Sequence, residues 1–382
     1  MAKNKLNITN SIKKLDESDI SDNIYHYKYN TKHLLSLIKK GYDPEDVSFL
    51  SSYRSFEGEV FENFIYEKLM RYAEENNAIE KFILKGFHQN KIKSFANTLS
   101  ISEKQQIVYR TKSKEISEFD AIFFTKTELY FVEMTLVKSV IKLRKRLRKK
   151  KALLEILFPN YQIKSLIVLN DGATGAKQFP SYCEVWFTKE FSAKDVLEYV
   201  QNPKSKHLEP KEKPKSPKFI EAHTLKLHNF RYYNTISWIT KTIRSHKKHI
   251  IDMGFLNNQK VQRYHDLYTK IYIGYLTIED AKIILELDGE YEKDQRVVVA
   301  VEKKHSDEYM LTYYIQLSRK VLYLYGFDDN NNMTKEKKDP FGITVTEVYH
   351  INKLMDSKYE LTPSNINTIV TLLKEGPPKS TD

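Results

Sequence analysis

Cysteine is almost absent from this chain of 382 residues, whose only thiol is Cys183. One thiol cannot form an internal disulfide framework or a cysteine-rich zinc site, so both classes of protein are excluded. No apolar run approaches the roughly 18 residues that a membrane-spanning helix requires. The opening stretch MAKNKLNITNSIKKLDESD has charges but no apolar centre, so we expect no secretory signal, no membrane association and a cytoplasmic protein.

Three short motifs of nucleotide and metal enzymes are also missing: G-x-x-x-x-G-K-[ST], G-x-G-x-x-G and H-E-x-x-H. The glycine-containing stretch NDGATGAKQ at 170–178 lies between two predicted strands and is more typical of a connecting loop than of a phosphate cradle. We therefore do not predict ATP use.

The composition nevertheless supports folded domains. Hydrophobic residues make up 41% of the chain and aromatic residues 13%, and 382 residues suffice for two or three domains. The formal charge of +12 and the pI of about 9.2 favour polyanionic partners, nucleic acid first. Basic residues concentrate at 138–151, 203–218 and 226–248.

Changes in composition predict four segments. Residues 1–48 are predicted to form a helical arm, and 49–200 an α/β domain. Residues 201–218 contain four prolines and six lysines, which indicates an extended linker. Residues 219–382 are predicted to form an α+β domain that binds substrate, a partner or a signal.

Within 49–200, apolar residues at helical spacing predict a helix over 55–77, with a core stripe made of Val60, Phe61, Phe64, Ile65, Leu69 and Tyr72. Strands are predicted at KFILKGF, KQQIVYR, IKSLIVLN and SYCEVWFT, and a hairpin at 117–135. A basic helix is predicted over 137–158, and Pro159 closes it.

The last segment is predicted to be helical over 219–288, to form strands over 296–326, and to end in the helix SNINTIVTLLKE, with ITVTEVYHI as a further strand. The stretch 228–249 interleaves aromatic and basic residues. That pattern suits the stacking of single-stranded nucleic acid, but the spacing of Tyr233, Ile236, Trp238 and Ile243 equally suits a helix packed on a core.

The hairpin contains two acids where apolar residues would be expected. A turn centred on Lys126 and Thr127 places Asp120 opposite Glu133. Alternation then predicts an apolar face and an acidic face, and the apolar face consists of Phe119, Ala121, Phe123, Tyr130, Val132 and Met134. Facing carboxylates about 5 Å apart repel each other, so we expect a cation beside them.

A third acid, Glu62, lies in the helix stretch GEVFENF after Gly58 and Phe61. A G-x-x-F-E helix followed by a strand with Asp120 and a strand with Glu133 resembles the PD-(D/E)XK nuclease superfamily, over roughly residues 50–195. The resemblance implies a restriction-endonuclease-like α/β core, a mixed central sheet flanked by helices. It also implies Mg²⁺-dependent phosphodiester hydrolysis, with Mn²⁺ as a substitute, in restriction, phage defence or repair. The implied ligands are Asp120, Glu133, the Met134 carbonyl and Glu62.

One position departs from the family pattern, because Thr135 stands where the family usually has a catalytic lysine. Lys138, or a lysine of the following helix, is the replacement that we expect beside the transition state. The alternative is a catalytically degenerate nuclease fold that grips nucleic acid without cutting it.

Nine of the fourteen residues at 138–151 are lysine or arginine, with no acid among them. Unmixed charge along a helix favours contacts with phosphates, although a solvated surface helix or a helix that binds an acidic protein gives the same pattern. The predicted contacts to nucleic acid, DNA rather than RNA, are Lys142, Arg144, Lys145, Arg146, Arg148 and Lys149. A homodimer is compatible with the resemblance.

Overall fold

The computed structural model describes residues 22–88, 96–112, 115–189, 191–202, 214–245, 251–268, 270–287, 289–303, 308–316, 324–327, 333–334, 351–352 and 354–375. The chain divides into two compact units, Met1–Asn229 and Phe230–Asp382. The division thus falls after Asn229 rather than after residue 218. No helix in the described ranges is long and apolar enough to cross a membrane.

The first unit combines helices with two sheets among its described residues. Its helices are α1 (Lys32–Lys39), α2 (Val47–Glu75), α3 (Leu143–Leu157) and α4 (Lys194–Gln201). Its strands are β1 (Lys81–Ile83), β2 (Thr98–Ile101), β3 (Ile107–Arg110), β4 (Glu115–Phe119), β5 (Ala121–Phe124), β6 (Glu128–Thr135), β7 (Gln162–Leu169), β8 (Cys183–Phe187) and β9 (Phe219–Ile220).

The central sheet is mixed, with the strand order β8-β7-β6-β5-β1-β9. Strand β5 is antiparallel to both β1 and β6, whereas β7 is parallel to β6 and β8. Helix α3 connects the parallel strands β6 and β7, as such a crossover requires. A mixed sheet flanked by helices is therefore confirmed. Strand β9 follows the predicted linker directly and pairs with β1, so it belongs to the first unit.

Helix α2 packs on one face of this sheet. Asp46 caps it by accepting hydrogen bonds from the backbone N–H groups of Ser48 and Phe49, so the helix begins earlier than predicted. All six residues of the predicted apolar stripe are buried. Ile24, Tyr27 and Leu34 are buried in the same core, so the described part of the predicted N-terminal arm is integral to the unit.

Helix α3 is shorter than the predicted helix at its N-terminal end. The Thr174 N–H donates to the Lys138 carbonyl, and the Val140 N–H donates to the Thr174 carbonyl. These bonds hold the chain before the helix in an extended bridge between Ser139 and Thr174. The prediction that the basic helix begins at residue 137 is therefore wrong, because it begins at Leu143.

The second unit contains an antiparallel sheet with the order β10-β11-β12-β13-β14. The strands are β10 (Lys270–Thr277), β11 (Arg296–Lys303), β12 (Tyr309–Gln316), β13 (Leu324–Phe327) and β14 (Met333–Thr334). The helices are α5 (Tyr232–Ser245), α6 (Met253–Asn257), α7 (Gln259–Tyr268), α8 (Ile278–Leu285) and α9 (Pro363–Glu375).

The second unit combines this antiparallel sheet with helices, but β10 contradicts the helical prediction for its residues. The strand has alternating apolar residues, KIYIGYLT, and its central part is buried against β11. In α5, Ile239 is buried and Trp238 packs against the same core, which favours core packing over base stacking. Most of the predicted strand ITVTEVYHI lies outside the described residues.

Gly274 provides a test of packing in this unit. A Cβ at this position would collide with the Tyr359 carbonyl and come within 3.0 Å of Leu361 Cδ1. We expect Gly274→Ala to lower the free energy of unfolding by about 1–3 kcal/mol, because the obstacle is partly backbone. Denaturant unfolding followed by circular dichroism measures the change.

The control is Gly58→Ala in helix α2, where a Cβ would meet no atom within 4 Å. Alanine is favoured over glycine inside a helix by up to about 1 kcal/mol, so this variant should be at least as stable as the wild type. Equal effects of the two substitutions would contradict the close packing at Gly274.

Candidate active site

The β5–β6 hairpin has the register that its sequence predicts. Ala121 pairs with Val132 and Phe123 with Tyr130, so continuation by one residue brings Asp120 opposite Glu133. Ala121, Phe123, Tyr130, Val132 and Met134 are buried in the core beneath helix α2. Both acids are themselves buried, with 5% exposure for Asp120 and 3% for Glu133.

Phe119 does not share the apolar face that its position in the strand predicts. Its ring contacts Phe131, which alternates with the core residues of β6, and the Lys150 ammonium lies 5.5 Å from its ring centre. The reason is that β4 ends at Phe119 and β5 begins at Ala121, so alternation is interrupted at Asp120. Phe119 therefore lies on the α3 side of the sheet.

Asp120 occupies this break between two strands. Its Oδ2 accepts a hydrogen bond of 2.8 Å from the Met134 N–H, so the carboxylate replaces a backbone acceptor at the end of the β5–β6 ladder. The N–H and C=O of one strand residue point to the same side. The Met134 carbonyl is thus directed toward the Asp120 side of β6, which is where the sequence predicts a metal-ligating oxygen.

Glu133 lies on the other face of the sheet from α2 and is held by two cations from α3. Lys150 Nζ lies 2.5 Å from Glu133 Oε2, and Arg146 pairs with Oε1. The side chain of Lys150 is 3% exposed, whereas that of Arg146 is 44% exposed. One cation is therefore enclosed with the acid and the other remains open to solvent.

Glu62 reaches the two hairpin acids electrostatically from helix α2. Burial raises the pKa of Glu62 well above its usual range, repulsion from Asp120 and Glu133 adds to the rise, and Lys85 opposes it. Burial also raises the pKa of Glu133, with attraction to Lys150 and Arg146 opposing the repulsion from Asp120. Shifts of this kind arise where several ionisable groups share a buried site.

A divalent metal site is only partly represented by this arrangement. Within the described residues, no group of three or more His, Cys, Asp or Glu side chains is positioned to hold a metal ion. The oxygens of Asp120, Glu62 and the Met134 carbonyl are of the type that Mg²⁺ prefers. Glu133 can join them only if Arg146 or Lys150 releases it.

Lys150 is the functional candidate that the sequence reasoning did not single out. It follows Leu147 by three residues and precedes Leu154 by four, and both leucines are fully buried. This spacing puts Lys150 on the apolar stripe of α3 and so indicates that its side chain is buried. Lys138, the predicted replacement for the missing motif lysine at Thr135, is exposed and anchored through its backbone to Thr174.

The six predicted nucleic-acid contacts of the basic segment fall into different environments. Lys142 and Lys145 are exposed, Arg144, Arg148 and Lys149 are half-buried, and Arg146 is paired with Glu133. The acid that balances this part of α3 thus comes from the neighbouring strand rather than from the helix. A helix segment that carries only positive charges in its sequence can therefore still have a charge paired with an acid of another element.

Comparisons with known proteins identify no relative. No family model matches the chain, and neither the curated proteins nor the solved structures include a significant match.

The raised pKa of Glu62 predicts a specific pH dependence of stability. The folded protein binds this proton more tightly than the unfolded chain, so stability falls as pH rises from about 4.3 through the raised pKa. Glu62→Gln removes the loss, and we expect it to stabilise the protein by ~1–3 kcal/mol at pH 8 and by little at pH 4. Denaturant unfolding of both proteins in metal-free buffer from pH 4 to pH 8 measures this difference in stability.

Glu74→Gln is the control, because Glu74 is exposed on the same helix. It measures the general effect of removing one negative charge from α2. A Glu62→Gln variant that is less stable than the wild type at pH 8 would contradict the repulsion between the three acids.

Proposed function

We propose that the first unit is a metal-dependent nuclease of the PD-(D/E)XK type that acts on DNA. The order of elements supports this proposal: α2 and β1 precede the antiparallel β5–β6 hairpin, and α3 crosses over to the parallel strand β7. The observation that carries it is the electrostatic coupling of Glu62 to Asp120 and Glu133, together with the buried Lys150 that pairs with Glu133.

In this proposal each side chain has a distinct task. Asp120 is oriented by the Met134 N–H, and Glu62 faces it from α2. When bound by these oxygens, Mg²⁺ would supply an acidified water and offset negative charge on the scissile phosphate. Lys150 keeps a fixed positive charge beside Glu133. From there it would stabilise negative charge in the transition state, as the missing motif lysine would otherwise do.

Arg146 differs from Lys150 because its side chain is substantially exposed. A guanidinium binds phosphate as readily as carboxylate, often through two parallel hydrogen bonds. We infer that Arg146 moves from Glu133 to a substrate phosphate, which would release one carboxylate oxygen for the metal.

A second function, binding without cleavage, is favoured by one specific observation. Both oxygens of Glu133 are engaged by cations, so the acid is neutralised without any metal. In that case α3 would hold nucleic acid through its phosphates, and the acids would serve only to anchor the helix.

Cleavage assays with plasmid, linear and single-stranded DNA and with RNA, in Mg²⁺ or Mn²⁺, test the proposal. We expect Asp120→Ala to abolish cleavage, and Lys150→Met to reduce it by roughly 100-fold or more because the fixed positive charge is lost. Lys138→Met is the matched control, since it makes the same change at an exposed lysine, and its activity should remain within a few fold of the wild type.

Two outcomes would contradict the site. Cleavage that survives Asp120→Ala would exclude these acids, and a large effect of Lys138→Met with none of Lys150→Met would return the catalytic role to Lys138. Absence of cleavage by the wild type on every substrate, together with tight binding, would favour the second function. Far-ultraviolet circular dichroism of each variant separates lost activity from lost folding.

The exposed lysines of the basic segment predict how binding responds to salt. The logarithm of the binding constant for duplex DNA falls linearly with the logarithm of the salt concentration, and each phosphate contact makes this slope steeper by roughly 0.9. We expect the double variant Lys142→Ala, Lys145→Ala to bind more weakly and to lose about 2 from that slope. Fluorescence anisotropy in EDTA, over a series of salt concentrations, measures both effects without cleavage.

The matched control removes two exposed lysines at the opposite end of the hairpin strands, Lys81 and Lys126. Lys81 pairs with Phe124 next to the turn, so both lie away from Asp120 and Glu133 along β5 and β6. Equal losses in the two double variants would show that overall charge, rather than the position of the basic segment, determines affinity.

A further inference from the structure

A cavity of about 510 Å³ opens beside Glu62. Its walls are α2, the chain that leads into α1 with the first residue of that helix, the second residue after β1, and the turn between β2 and β3. Five basic side chains line it, namely Lys28, Lys32, Arg54, Lys85 and Lys104, against the acids Glu59, Glu62 and Glu103. The lining therefore has an excess of positive charge, and its size is typical of a small-molecule site.

Lys85 is the unusual member of this lining because it is only 2% exposed. Its ammonium donates one hydrogen bond of 3.3 Å to Asn63 Oδ1 and lies 5.4 Å from the centre of the Tyr66 ring. No carboxylate of the described residues forms an ion pair with it. An ammonium has three donors, and a buried charge with donors unused is costly unless a ligand takes them.

Gln105 brings an unused acceptor to the same cavity. Its Oε1 is buried without a hydrogen-bond partner among the described residues. The turn that carries it is pressed against Gly86, where an added Cβ would lie 2.8 Å from Gln105 Cβ. Only glycine permits this approach, and the Gly86 N–H donates to the Gln105 carbonyl. The turn is thus held as a fixed wall next to Lys85.

The ligand chemistry follows from these two groups. The Lys85 ammonium offers positively charged donors, and Gln105 Oε1 offers an acceptor. We propose that this cavity binds the terminal phosphate of a nucleotide, with the phosphate on Lys85 and a sugar hydroxyl or base amino group on Gln105. A terminal phosphate has one covalent neighbour and up to two negative charges, so it reaches a buried ammonium more easily than an internal phosphodiester does. The inference deepens the proposed nuclease function and rests on it for the choice of a nucleotide.

Two acids of the lining must be compatible with a bound phosphate. Glu59 Oε2 already accepts a hydrogen bond of 2.9 Å from the Asn30 N–H. Glu62 shares the lining with the buried Lys85, whose positive charge offsets the carboxylate toward a neighbouring phosphate. The cavity and the acid cluster share Glu62, which would set a bound strand end beside the proposed scissile position.

The test measures binding in EDTA, where cleavage cannot interfere. Single-stranded decamers with an internal fluorescent label carry a 5′-phosphate, a 3′-phosphate or neither. We expect the wild type to bind one phosphorylated form roughly tenfold more tightly than the unphosphorylated form, and Lys85→Met to remove this preference. Lys81→Met, at the exposed start of β1, is the matched control and should keep it.

A second variant covers the case in which Lys85→Met does not fold. Gly58 lines the cavity, and a Cβ added there would meet no atom within 4 Å. Gly58→Leu therefore fills the cavity without removing a charge, and it should also abolish the preference for the phosphorylated decamer. Competition by a free nucleoside monophosphate, compared with inorganic phosphate, distinguishes a free nucleotide from a strand end as the source of the phosphate.

The outcomes separate this inference from the nuclease proposal. A phosphate preference that persists in folded Lys85→Met or Gly58→Leu protein, or no preference and no competition in the wild type, would overturn the inference even if the protein cleaves DNA. A Lys85-dependent preference in a protein that cleaves nothing would support the cavity and count against the nuclease.

Discussion

The ion pairs of Glu133 with Lys150 and Arg146 are the constraint on which the arrangement of the site depends. They join the middle of the central sheet to helix α3, and one of them is almost completely enclosed. A buried ion pair adds little net stability, yet removal of one partner leaves an uncompensated charge and is strongly destabilising. The contact therefore fixes the position of α3 more than it strengthens the fold.

The positions of the acids are limited by the packing on both faces of the sheet. Beneath α2, five residues of the hairpin form a dry apolar core, so the acids can be accommodated only at the end of β5 or on the α3 face. Asp120 takes the first position and Glu133 the second. Glu62 then adds a third carboxylate from α2, and burial, with repulsion from Asp120 and Glu133, raises its pKa.

The spacing of residues along the chain predicts those parts of this structure that depend on neighbouring residues in the sequence. The hairpin register follows from alternation and turn position, and the buried stripe of α2 follows from its helical spacing. The start of α3 was missed because bonds to Thr174, distant in sequence, outweigh the helical pattern of 137–142. The face of Phe119 was missed because alternation assumes an unbroken strand. The partners of Lys150 depend on how a helix packs on a sheet, which spacing alone does not specify.

The difference in exposure between Lys150 and Arg146 bears on whether the site cuts or only binds. An enclosed ammonium cannot leave Glu133 without a large desolvation penalty for the acid that it abandons, so Lys150 is a permanent part of the site. A half-exposed guanidinium exchanges between carboxylate and phosphate at a lower cost, because solvent stabilises it in both positions and Lys150 still compensates the buried Glu133. In the proposed function, binding of a substrate phosphate would therefore withdraw Arg146 from Glu133 and leave Lys150 in place. In the proposed nuclease, a cluster of three acids that loses a positive charge at that moment would gain affinity for a divalent cation when the phosphate is present.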